Sequence, residues 1–213
     1  MEPKRPRGRP REYDPQQALA AALGEFRRRG YAGASLDHLS AATNMARPSL
    51  YAAFGGKLDI YRQAVRQFAD QSAARRAHAL FDQPSLRKGL EDYFAEIVDA
   101  YAPREGEPLG CPVLSVISGE AAADPEIGAE LAAAVEKTDA QFRRRMSMAA
   151  DAGDIPADAD IAGVAAMLAA LQHSLSLRAR AGARRPKLAS VARSHITLAL
   201  KAAGYAGVAA RSP

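Results

Sequence analysis

The 23 residues from Ser35 to Lys57, SLDHLSAATNMARPSLYAAFGGK, leave the chain few ways to fold. They hold two short stretches of helical apolar periodicity, joined by a break too tight to be a linker. Leu36, Leu39 and Ala42 recur at three-residue intervals on one face of the first, and Ser35 is placed to cap its N-terminus. The break is Asn44-Met45-Ala46. After glycine, asparagine adopts a left-handed backbone most cheaply, so it ends a helix well. Pro48 fits a first helical turn, where its missing N–H has no intrahelical partner to lose. In the second stretch Leu50 and Phe54 face inward, which leaves Arg47, Ser49 and Tyr51 pointing out. Two such helices across a three-residue turn predict a helix-turn-helix, whose second helix is sized to enter a DNA major groove.

Ahead of that unit, Asp14-Pro15 reads as an N-cap followed by proline at the first helical position. Leu19, Leu23 and Phe26 supply the buried stripe of the helix they open. Arg27, Arg28 and Arg29 close it, favourable at the negative end of the helix dipole, and Gly30 stops it. From about Pro15–Arg29, through Gly30-Tyr31, to Leu50-Tyr51-Ala52-Ala53-Phe54 and Lys57, the chain resembles the TetR/AcrR-type transcriptional regulators. The L-Y-x-x-F-x-x-K pattern behind a tight helix-turn-helix carries the resemblance, over roughly the first quarter of the chain. It implies that Tyr51 and Lys57 contact phosphates, while Arg47 and Ser49 lie toward bases or backbone. This sequence departs from the family at Asn44, where glycine is usual, and at Ala46, where a capping Ser or Thr is common. Losing that cap costs on the order of 1 kcal/mol.

Charge is unevenly spread. Residues 1–66 hold 12 lysines and arginines against 6 acids, whereas the remainder holds 17 against 18. A basic head on a near-neutral body suits a phosphate-binding module joined to a ligand- or partner-binding one. Met1–Glu12 is rich in Pro, Arg and Gly without periodicity, so residues 1–12 are expected to form a disordered basic arm. Its Arg7-Gly8-Arg9-Pro10 resembles the core of an AT-hook: Gly8 lets the backbone sink into a minor groove, and Arg7 and Arg9 follow its negative floor. A solvated tail that only raises non-specific affinity is the plainer reading. The expected DNA-facing set is therefore Arg7, Arg9, Ser35, Arg47, Pro48, Ser49, Tyr51 and Lys57, in a head over residues 13–56.

Abundant alanine, few aromatics and no β-branched runs predict an all-α body over residues 57–205. Helices are expected at about Lys57–Asp82, Ser85–Tyr101, Gly110–Ala122, Asp124–Ala152, Asp160–Gly182 and Lys187–Gly204, with a Pro/Gly loop at Ala102–Leu109. The first half of the Asp160–Gly182 helix is apolar nearly all round, so more than one side must be covered. The last helix carries Leu188, Val191, His195, Leu198 and Ala202 on one face. Two adjacent over-apolar helices, at about 160–182 and 187–204, predict a four-helix interface with a second copy, the pairing that the resemblance also implies. No segment reaches the roughly 18 apolar residues of a membrane span, and the basic N-terminus has no apolar stretch behind it as a signal peptide would. Single Cys111 fits a reducing compartment, so a cytoplasmic protein is expected.

No catalytic or metal-binding pattern is present. His38, His78, His173 and His195 fall on four different expected helices without i, i+4 pairing, and neither a phosphate-cradling glycine loop nor G-x-S-x-G occurs. No enzyme, metal or cofactor is expected. The inward positions Phe68, Tyr93, Ile97, Tyr101, Cys111, Leu114, Phe142, Met146, Met167 and Leu171 are the candidate ligand pocket, though each fits plain core equally well. With few aromatics and no inward charge, that set points to an uncharged, largely apolar effector. Cys111 reads either as a small buried hydrophobe or as a redox switch. The favoured function is a homodimeric regulator that binds double-stranded DNA, a repressor released by a small molecule. The competing one is an architectural DNA binder led by the arm, with no effector.

Overall fold

A computed structural model describes residues 13–102 and 109–206, apart from the side chains of 72 and 73. All regular structure among the described residues is helical. The basic arm with Arg7 and Arg9, most of the expected Pro/Gly loop and the last residues lie outside them.

Helix α1 (Pro15–Gly33) starts where the sequence places it, with the Asp14 carboxylate accepting from the Gln16 amide at 2.8 Å. Gly30, at φ 74°, steps out of helical geometry, yet the helix resumes for one more turn. It kinks α1 rather than stopping it. Helix α2 (Leu36–Thr43) is capped by Ser35, whose hydroxyl accepts from His38 N while His38 Nδ1 accepts from the Ser35 amide. Asn44 closes α2 in the left-handed region (φ 52°, ψ 34°), and α3 (Arg47–Phe54) begins three residues later without a side-chain cap. Helices α4 (Lys57–Phe81), α5 (Leu86–Tyr101), α7 (Pro125–Asp151), α8 (Ile161–Arg180) and α9 (Arg185–Ala202) match the expected spans to within a few residues. The segment expected as a helix over Gly110–Ala122 is helical only at α6 (Leu114–Ile117), and turns carry it to α7.

Two apolar clusters result. In the head, Leu19, Leu23 and Phe26 of α1 pack on Leu39, Leu50 and Phe54, and Ile60, Tyr61 and Ala64 of α4 close over them. Val116 and Ile117 of α6 and Ile127 of α7 complete the same cluster, so body residues finish the head's core. Each large side chain so buried contributes about 1.5–3 kcal/mol. Phe26 stacks on Tyr31 at 5.9 Å and meets Tyr61 edge-on at 5.4 Å. In the body, α5 sits against α7, α8 and α9 through Leu90, Phe94 and Ile97, with Phe142 and Met146 of α7 beneath.

Helix α8 corrects one expectation: by length and composition its 20 residues could cross a membrane. Its buried residues Leu168, Leu171 and Leu175 are core to this fold, and Arg178 and Arg180 fill its last turn. On α9, Leu188 is buried, but Val191 is only half-buried and His195, Leu198 and Ala202 are exposed. The stripe read from the sequence is thus largely the outward face, while Ala192, Ile196 and Ala199 pack inward.

Candidate DNA-binding face and body cavity

On α3, Leu50 and Phe54 anchor the helix to the head core, and Arg47, Pro48, Ser49 and Tyr51 are all exposed, Tyr51 by 48%. Four of the expected DNA-facing residues therefore share one free surface. Arg47 is engaged from the side: its guanidinium pairs with the Asp37 carboxylate of α2, which holds that carboxyl below its usual range. Sequence periodicity gave no hint of this pair. Ser35 is committed to capping α2. Lys57 lies 4.6 Å over the Tyr31 ring and donates to Ala32 O at 3.3 Å, with partial burial lowering its pKa. It fastens the start of α4 to the end of α1, with part of its side chain still open to solvent.

The arginines that end α1 do not simply face the helix dipole. Arg28 and Arg29 neutralise the buried Glu25 at 2.7 and 2.8 Å. Arg27 turns into the body and donates to Ala100 O of α5 and Gly110 O, each at 2.8 Å. Arg180, at the end of α8, donates back to the carbonyls of Arg27 and Arg28. These contacts span 73 to 153 residues of chain, beyond the reach of any local pattern. Gly110 sits at φ 70°, where a Cβ would meet Ser115 Oγ and lie 2.8 Å from Ser176 O, so the loop under Arg27 needs glycine there.

Between α4, α5, α7 and α8, and against the segment from Cys111 to Ile117, the body holds a cavity of about 440 Å³ that opens to solvent. Phe68, Tyr93, Tyr101, Cys111 and Leu114 line it, as expected. Ile97, Phe142, Met146 and Leu171 do not: they are fully packed core, since inward spacing alone cannot separate a cavity wall from a filled interior. Met167 faces out and is 47% exposed, because on a helix apolar all round periodicity assigns no inner side.

The walls also correct the expectation of an uncharged interior. A chain of hydrogen bonds crosses one side: Gln141 donates to the Tyr93 hydroxyl (2.6 Å), Tyr93 to Gln172 (2.8 Å), and Gln172 to the Tyr101 hydroxyl (3.4 Å). Burial pushes Tyr93 up to about 12 and Tyr101 well above the usual phenol range, so both stay neutral donors and acceptors. His173 is held below the ordinary imidazole range by burial. Arg62 reaches in from α4 but is paired to Glu130 at 2.7 Å. Arg76 differs, because its Nε and Nη2 are shut off from solvent with no hydrogen-bond partner among the described residues. Its guanidinium stacks on Phe68 at 5.4 Å, a contact worth about 0.5–2 kcal/mol. Among the described residues no group of His, Cys, Asp and Glu could hold a metal.

Comparison with known proteins decides what this assembly belongs to. Residues 87–196 match the family model described as the tetracyclin repressor-like C-terminal domain, and residues 18–64 match that of the tetR family of bacterial regulatory proteins. The chain belongs to the TetR family. It is a DNA-binding transcriptional regulator and not an enzyme. The HTH-type transcriptional repressor ComR of Escherichia coli (strain K12) is 29% identical over 196 residues, covering 92% of this chain and 93% of ComR. The repressor BdcR of the same organism is 31% identical over 110 residues, 52% of this chain and 55% of BdcR. A cysteine mutant of the TetR family regulator CifR, solved with 26-bp double-strand operator DNA, superposes with a TM-score of 0.81 at 32% identity, covering 89% of this chain and 98% of CifR. Within this TetR-family fold, α2 and α3 are the helix-turn-helix and α5–α9 form the C-terminal body.

Proposed function

We propose that two copies of the chain bind a near-palindromic operator as a repressor, and that a small molecule in the body cavity releases them. The observation that carries this reading is the shared exposed face of Arg47, Ser49 and Tyr51 behind the left-handed turn at Asn44. Arg47 and Ser49 would read base edges; Tyr51, Lys57 and the arm with Arg7 and Arg9 would hold phosphates and the minor groove. That CifR, similar to this chain along most of its length, is solved with operator DNA supports DNA as the partner. Two copies pairing through α8 and α9 would set two α3 helices about 34–36 Å apart, or a wider multiple, along the duplex. A protein acting on DNA this way works in the cytoplasm.

The test is selection of genomic DNA fragments with the full chain, followed by affinity measurements on a recovered site. Tyr51→Ala and Arg47→Ala are each expected to weaken it about 10- to 100-fold. Unchanged affinity in both, with loss only on deleting residues 1–11, would instead favour an arm-led architectural binder.

The Asp37–Arg47 pair adds a second expectation. Asp37→Asn removes a negative charge beside the incoming phosphates and frees the guanidinium, so affinity should rise about 3- to 10-fold at low salt. A titration across salt concentrations checks it, because the gain should shrink as salt increases.

A further inference from the structure

The two orphaned nitrogens of Arg76, Nε and Nη2, are neighbours on one edge of the guanidinium. That edge presents two parallel N–H donors at the spacing of the two oxygens of a carboxylate, the geometry in which arginine binds most strongly and most selectively. Among the described residues no carboxylate pairs with Arg76. The other charges facing the cavity are accounted for: Arg62 and Glu130 neutralise one another, Lys137 stands exposed on α7, and His173 is kept neutral by burial. The site therefore carries unanswered positive charge, and the rest of its wall is apolar or held in the Tyr93–Gln172–Tyr101 chain.

We propose that the effector of this regulator is an organic monocarboxylate that draws Arg76, a residue of the cavity wall, off its seat on Phe68 and is gripped at both oxygens by the freed Nε–Nη2 edge, with its apolar tail along Leu80, Phe81 and Leu114. This rests on the reading of the cavity as the effector site. It also supplies a route to the head. Phe68 carries the Arg76 guanidinium at 5.4 Å and that of Arg27 at 5.6 Å, and Arg27 fastens α1 to Ala100 and Gly110. A carboxylate that reseats Arg76 acts one aromatic ring away from the contact that sets α1 against the body.

The experiment uses full-length protein, thermal melts, and a matched set of probes: hexanoate, octanoate and 4-phenylbutanoate against their neutral amides. At about 100-fold over its dissociation constant, the best acid should raise the melting temperature by about 5–10 °C, with the amides giving far less. Arg76→Gln should weaken that acid about 10- to 100-fold, and Arg76→Lys should recover part of the loss. The melting temperatures of the unliganded variants show whether they fold. The proposal is overturned if acids and amides stabilise alike, if none of the acids stabilises the protein, or if folded Arg76→Gln binds the acid as the parent does. Release of a selected DNA fragment, measured on the same samples, separates the two readings. A chain that binds DNA and is released by neutral compounds only remains an effector-responsive regulator with a different ligand class. A chain that selects no DNA removes the regulatory reading itself.

Discussion

A chain carrying Leu177→Glu together with Leu198→Glu is expected to sediment as a monomer and to bind operator DNA about 10²–10⁴-fold more weakly than its parent. Leu177 is 61% and Leu198 57% exposed, and Met167 lies exposed on α8 as well. Ala166 and Ala170 share the outward side of α8, so a second helix can approach closely there. Each leucine buried in such an interface contributes about 1.5–3 kcal/mol. A glutamate in its place, opposite its own copy across a two-fold axis, adds like-charge repulsion in a desolvated setting. Neither leucine belongs to the body core, so the monomer should melt as a folded protein. The loss on DNA is large because binding one half-site no longer presents the second at high effective concentration. Sedimentation and a DNA titration check both halves of the expectation. A double variant that stays dimeric would place the interface on another face.

The second large effect is on stability. Phe142→Ala is expected to cost about 3–5 kcal/mol, the range for a large aromatic removed from a packed interior. Phe142 has no exposed surface, stacks on Phe94 at 5.7 Å and meets Tyr93 edge-on at 5.4 Å. Tyr93 also lines the cavity, so the void left behind lies just beneath the ligand wall. The melting temperature should fall by roughly 10 °C. A calorimetric scan checks this, and a drop of only a degree or two would mean that the body repacks around the gap.

Much of the head was legible from residues close together in the chain. Asn44 announced the left-handed turn, Ser35 and Asp14 the caps, and Leu50 with Phe54 the buried side of α3. All of these depend on spacings of four residues or fewer. What stayed hidden depends on contacts between distant segments. Arg27 looked like a dipole partner because nothing local shows that Ala100 O and Gly110 O stand beside it. Nothing local joins Asp37 to Arg47, ten residues on; only the turn that folds α3 back on α2 brings the two together. Arg76 sits on α4, whose apolar and polar residues show no clean division into faces, so no stripe marked it as inward. Five of the ten candidate pocket residues reach the cavity, because helical spacing tells which side is inside without telling where the inside is empty.

The shared ownership of the head's core bears on how heads and bodies can be recombined. Val116, Ile117 and Ile127 come from well past the helix-turn-helix, yet they seal the cluster around Phe26 and Tyr61. Splicing a foreign head on at Gly56 would leave those three side chains facing strangers. A productive graft would have to carry α4, α6 and the first turn of α7 along with the reading helix, as one inherited block.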